Sequence, residues 1–282
     1  MKTELLFDAK ATLGEGPAWD AKTQTLYWVD ILEKRIYAGT EVLAQLNEFI
    51  GCLAPCKNGN LIVGKRASIV DFDIASSQQT VLVSLNESAT NRVNDGKCDP
   101  AGRFLAGTMD MNEKDPAGSF YSYDGKTTQT LFGNITISNG LAWSVDHKTF
   151  YYIDTPTREI KAFDYDVATG QLANPRVVIH IPDSIGWPDG MTSDMDGNLW
   201  IAMWGGAQVT KWNPSSGKLL EQISIPALHS SACVFGGKDR NVLYVTSARK
   251  GMSDADLKKY PLAGGLFKVV TNVEGMPTFE FG

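Results

Sequence analysis

Histidine and cysteine are scarce in this sequence: 282 residues contain three histidines and four cysteines. None of His147, His180 and His229 falls in an H-E-x-x-H or triad motif, and no G-x-S-x-G nucleophile elbow occurs. That shortage turns any search for a metal site toward oxygen donors. Cys52 and Cys56 have no second Cys/His pair to complete a zinc site, so all four cysteines are expected to be small buried hydrophobes in a reducing compartment. His147 reads as a solvent-facing turn residue.

Long apolar runs are also missing. The opening MKTELLFDAK holds only three consecutive apolar residues between Glu4 and Asp8, neither a signal-peptide core nor a membrane span. A cytoplasmic location, with no membrane partner, is the expectation. Basic clusters exceed no isolated pair, and a formal charge of −6 would repel a phosphate backbone, so nucleic acid is excluded as a partner. No Pro/Ser-rich or charged linker divides the chain, and a sustained i, i+3, i+4 apolar pattern is almost absent. Helix is therefore a minor component.

What is present is a repeat. Short β-rich runs follow turns at Asp20, Lys57, Asp99, Asp146, Asp196 and Lys238, spaced 37 to 50 residues apart: LYWV, NLIV, RFLA, FYYI, NLWI and VLYV. A second strand echoes later in each unit, as in Ile160-Lys161-Ala162-Phe163 and Val209-Thr210-Lys211-Trp212. A β-sandwich would give no reason for a two-part motif to return six times. The pattern predicts an all-β fold, a six-bladed β-propeller with four-stranded blades around a central channel, spanning residues 1–282 as one domain. Glu4–Phe7 is expected to complete the last blade alongside Pro277–Phe281, leaving no open sheet edge.

Propellers carry function on the loops around the channel. The segments leading into the innermost strands read Gly14-Glu15-Gly16, Asn94-Asp95-Gly96, Asn139-Gly140 and Asp189-Gly190, each placing an acid or amide beside a glycine that lets backbones crowd a shared axis. Repeat geometry would aim Glu15, Asn94 or Asp95, Asn139 and Asp189 into one channel mouth. Two carboxylates with amide oxygens are a donor set for Ca²⁺, Mg²⁺ or Mn²⁺, or for Zn²⁺ or Fe²⁺ with water completing the shell. Most tryptophans should be core, although Trp187 and Trp204 are placed to wall a substrate pocket.

The segments GEGPAW, NRVNDGKCDPAGRFLAGTM, SNGLAWSVDHKTFYYID, PDGMTSDMDGNLWIAMW and FGG…LYVTSAR…AGGLFKV, in order from about residue 13 to 270, resemble the regucalcin (senescence marker protein)/gluconolactonase family. The resemblance implies a six-bladed propeller that hydrolyses sugar lactones with one divalent metal at the channel mouth. It places the metal ligands at Glu15, Asn139 and Asp189 and substrate contacts at Arg92 and Asn94. It also sets Asn112 where vertebrate members often carry a substrate-facing Glu, and gives Ser138 no role. A cation there would polarise a lactone carbonyl, with Asp189 as general base and Glu15 as runner-up. The expected partner is a small sugar lactone, bound by a monomer or weak dimer. Competing readings are a calcium-binding regulatory protein without significant lactonase activity, a related propeller phosphotriesterase, and a non-catalytic interaction platform.

Overall fold

Residues that alternate between apolar and polar behind a tight turn pair as antiparallel hairpins, and three successive hairpins make a four-stranded meander. The computed structural model, which describes residues 1–282, holds five such meanders, a sixth four-stranded sheet that takes its outer strand from the N-terminus, and little else. Only one short α-helix, Asp254–Lys259, interrupts them, started by a capping box in which Ser253 and Asp256 exchange hydrogen bonds. No helix is long and apolar enough to cross a membrane.

The strands nearest the axis are Gly14–Asp20, Ile50–Pro55, Asn91–Cys98, Ser138–Trp143, Trp187–Ser193 and His229–Gly236. Each packs on the next, and the first meets the last, where the Ser231 hydroxyl donates to the Gly14 carbonyl. The recurring LYWV-type runs are thus the second strands, and the Asx-Gly segments are the innermost strands themselves rather than loops leading into them. Two positions explain their glycines. A Cβ on Gly140 would lie 2.7 Å from the Met191 Cβ, and one on Gly190 would lie 2.4 Å from the Ala232 Cβ, so only glycine lets neighbouring inner strands come this close.

The core fills the wedges between blades. Val29 and Ile36 of the first blade, for example, join Leu53, Leu61 and Val63 of the second. Burial on both faces there is what makes these strands read as apolar runs. All four cysteines are buried free thiols.

Thr3–Phe7 pairs antiparallel with Leu266–Val270, so the N-terminal strand supplies the outer strand of the last blade, as the sequence predicts. Pro277–Phe281 does not join that blade. It crosses the far end of the channel instead: Phe279 packs edge-on against Trp143 and His147, and Phe281 stacks on Tyr123 while its N–H donates to the Pro55 carbonyl at 2.9 Å. The physical reason is that the last blade already has four strands, whereas the channel end offers apolar side chains such as Leu53, Leu141, Trp143 and Val234 for the tail to cover. His147 is consequently half-buried under the tail rather than free in solvent.

Candidate functional site

The innermost strands are irregular where the site lies. Their pairing with the second strands slips between Glu15 and Ala18, between Val93 and Asp95, between Asn139 and Leu141, and between Pro188 and Met191. A bulge turns the extra residue out of the ladder and re-aims its side chain. Asn94 and Asp189 are such residues. The result is a pocket of about 430 Å³ at one channel mouth, lined by Glu15, Arg92, Asn94, Asn139 and Asp189 among others.

These five side chains are all buried, and a chain of hydrogen bonds fixes most of them. Arg92 Nη1 donates to the Val93 carbonyl at 3.1 Å and to Asn94 Oδ1 at 2.6 Å. Asn94 Nδ2 donates to the Ser138 carbonyl at 2.8 Å and to Asn139 Oδ1 at 2.9 Å. Asn139 Nδ2 donates to Thr155 Oγ1, whose own proton goes to the Pro188 carbonyl, both at 2.8 Å. Because the single Thr155 proton is committed, Thr155 can only accept from Asn139, which sets the amide with Oδ1 toward Asn94. Both Asn94 amide protons are spent within the protein, leaving one Oδ1 lone pair free.

The carboxylates differ. Glu15 accepts one backbone N–H, from Gly16 at 3.1 Å. Asp189 takes no hydrogen bond from any protein group, although it is only 5% exposed. Burial, then the Asp95 charge, pushes the Glu15 carboxyl up; burial, then Glu15 and Asp95, pushes Asp189 well up. Arg92 is lowered by burial to about 10 and stays charged near neutral pH. Asp95, the alternative to Asn94, does not line the pocket: it accepts the Gly96 N–H at 2.7 Å and its charge is felt by Lys97.

No group of three or more His, Cys, Asp or Glu is placed to hold a metal ion. The available set is two carboxylates and an amide oxygen. Two buried carboxylates, the second raised by the charge of the first and without any donor, are what a divalent cation would relieve, and oxygen-only donors suit a hard or borderline ion. The residues therefore fit such a cation.

Asn112 is not brought to the pocket. It is exposed, and its Nδ2 donates to Asp110 Oδ1 at 3.3 Å. The next side chain, Glu113, lines the pocket and pairs with Lys250 from the last blade. Trp187 and Trp204 are lining residues, the first carrying the Arg158 guanidinium 3.6 Å above its ring. Sequence reasoning missed Glu113, Lys250, His229 and Thr155. Only Thr155 carried a signal, as the residue directly after a second strand. Ser138 gains a structural part: its Oγ accepts from the Tyr152 hydroxyl at 2.8 Å, and its carbonyl holds Asn94.

A six-bladed ring with a polar pocket sunk in one end of its channel defines a β-propeller whose candidate site lies on its axis. The chain belongs to the SMP-30/Gluconolactonase/LRE-like family, whose sequence model matches residues 13–249. It is 37% identical to a protein named regucalcin from Danio rerio, over all of this chain and 98% of that one. It is 35% identical to a putative sugar lactone lactonase, YvrE, from Bacillus subtilis strain 168, over all of this chain and 99% of that one. Among solved structures, a calcium-binding protein, regucalcin, from Agrobacterium tumefaciens superposes with a TM-score of 0.95 at 27% identity, covering all of this chain and 97% of the other.

Proposed function

We propose that the protein hydrolyses sugar lactones to aldonic acids with the help of one divalent cation held by Glu15, Asn139 and Asp189. The observation that carries this reading is the pair of buried carboxyls, both pushed up on folding, facing a pocket that also holds a guanidinium and two indoles. The family and the lactonase-named relative support it. The cation, when bound, supplies Lewis acidity toward a carbonyl oxygen and charge balance for the two carboxylates.

The residues divide the remaining work. Asp189, free of protein donors, takes the proton of the attacking water. The water oxygen adds to the lactone carbonyl carbon, the ring C–O bond breaks, and the proton ends on the departing ring oxygen, giving a hydroxy acid. Arg92 keeps guanidinium donors unspent after its bonds to Val93 and Asn94 are made and can hold the ring's hydroxyl or carbonyl oxygens. Asn94 has too little free capacity to bind substrate broadly and instead orients Arg92 and Asn139. Trp187 and Trp204 offer apolar faces to the C–H side of a sugar.

The test is ring opening of glucono-, xylono-, galactono- and arabino-lactones by metal-stripped and metal-reloaded protein. Turnover should require a divalent ion and fall by about a thousandfold or more in Asp189→Ala. Equal rates with and without metal would sink the proposal. The relatives named regucalcin favour one other reading, a calcium-binding protein. Tight Ca²⁺-selective binding with no lactone turnover would establish that instead.

A further inference from the structure

One aromatic member of the pocket has no part in the scheme above. His229 opens the innermost strand of the last blade and lines the pocket. Its ring lies flat on Trp204, with centroids 4.1 Å apart and planes 12° from parallel. Its Nδ1 accepts the Gly205 N–H at 3.1 Å. A ring nitrogen that accepts a hydrogen bond carries no proton, so the proton of a neutral imidazole here sits on Nε2. Burial pushes the ring's pKa down to about 4, which keeps it neutral near physiological pH.

Nε2 makes no hydrogen bond to any protein group and is not a sealed buried atom. The ring is thus gripped by one face and one edge while a bare N–H remains free at a pocket wall. Stacking and the Gly205 contact together remove the two torsional freedoms of the side chain, so the donor's direction is set before any ligand arrives. A neutral donor beside indole faces suits an uncharged oxygen on a ring whose C–H side stacks on those faces.

We propose that His229 is a substrate-orienting residue whose Nε2–H donates to a hydroxyl oxygen of the sugar lactone, so that the pocket favours polyhydroxylated lactones over lactones lacking that hydroxyl. This rests on the lactonase reading of the same pocket. A site that commits a donor to a substrate hydroxyl penalises the analogue without it, because the donor is then left unpaired.

The test compares D-glucono-1,5-lactone with δ-valerolactone, which has the same ring size and no hydroxyls, in wild type, His229→Phe and His229→Gln. Phenylalanine keeps a flat ring on Trp204 but has no N–H; glutamine restores an N–H donor. The expected result for His229→Phe is a KM for gluconolactone raised about tenfold, with kcat/KM for δ-valerolactone unchanged, and partial recovery of the first in His229→Gln. Equal losses on both substrates, or none on either, would overturn the proposal. Nitrogen NMR of ¹⁵N-histidine-labelled wild type gives a readout independent of turnover: His229 should be the neutral Nε2–H form, and its Nε2 resonance should move when sodium D-gluconate is added. If the wild type opens no lactone, the lactonase reading fails and the gluconate titration alone decides, movement supporting the role of His229 and no movement overturning it.

Discussion

Glu15 and Asp189 are buried carboxyls whose pKa values are pushed up on folding, and this has a measurable cost. A carboxyl whose pKa is raised on folding holds its proton more tightly in the native chain than in the unfolded one. Stability is therefore greatest while both states are protonated and falls as pH rises through the ordinary carboxylate range toward the raised values. The metal-free protein should lose thermal stability between about pH 5 and about pH 8. Asp189→Asn should flatten that slope and raise the metal-free midpoint at the alkaline end while abolishing lactone opening. Scanning calorimetry across pH checks this, and a lower alkaline midpoint in the variant would count against it. These two residues and Asn139 were legible in the sequence because each adjoins a glycine that backbone crowding demands, as Gly140 and Gly190 make plain. His229, Glu113 and Lys250 were not, because they meet only when the blades close the ring and no local pattern marks them. Asn112 failed for a related reason: a position inferred from resemblance lies in a turn whose next residue, not itself, reaches the pocket.

At the level of elements, the hairpin joining first and second strands is held in several blades by an aspartate just past the inner strand. Asp99 accepts the Ala101 and Arg103 N–H groups at 2.9 and 2.8 Å, Arg103 Nε at 2.6 Å, and the Tyr165 hydroxyl of the next blade. Asp194 does the same for the Asn198 N–H and Trp200 Nε1, with Lys211 at 3.0 Å. Both aspartates are fully buried. Asp99→Ala leaves a half-buried guanidinium and two turn N–H groups without their acceptor, and should cost about 3 kcal/mol in urea unfolding. Tyr165→Phe, which removes the bond to Asp99 and a longer one accepted from Arg103 Nη2 at 3.3 Å but leaves the ion pair, should cost about 1 to 2 kcal/mol. A loss from Asp99→Ala no larger than that from Tyr165→Phe would mean the turn is held by other contacts. Second and third strands were readable because aromatic and β-branched runs follow these turns. The outer strands were not: Glu41–Gln45 and Gln79–Ser84 are mostly exposed and carry no sustained alternation. The inner strands were placed one strand too late, on the LYWV-type runs, since glycine and polar residues at the bulges made the true inner strands look like loops.

The whole ring is secured by both chain ends in different ways, and the difference predicts different failures. The N-terminal strand Thr3–Phe7 pairs along one edge only and stays largely exposed, so it contributes hydrogen bonds but little buried apolar area. The C-terminal segment reaches every blade from beneath: Lys22 of the first pairs with Glu280 at 2.8 Å, and the Pro55 carbonyl of the second takes the Phe281 N–H. Tyr123 of the third stacks on Phe281, and Trp143 of the fourth meets Phe279. The Met276 N–H reaches the Ser193 carbonyl of the fifth blade, and the Gly275 N–H the Arg240 carbonyl of the sixth. That role was invisible in the sequence, because a segment held by scattered contacts needs no periodicity, whereas the N-terminal closure followed from the count of strands. Deleting residues 274–282 removes a tie common to all six wedges and opens the far channel end to water, so it should lower the thermal midpoint of the monomer the more sharply. Deleting residues 1–7 should cost less, yet it bares the Leu266–Val270 edge, and an unpaired edge recruits other chains. The expected outcome is a less stable monomer from the first truncation and concentration-dependent self-association from the second, read by calorimetry and light scattering on the two proteins. The reverse assignment would place the ring's main clasp at the N-terminal strand rather than beneath the channel.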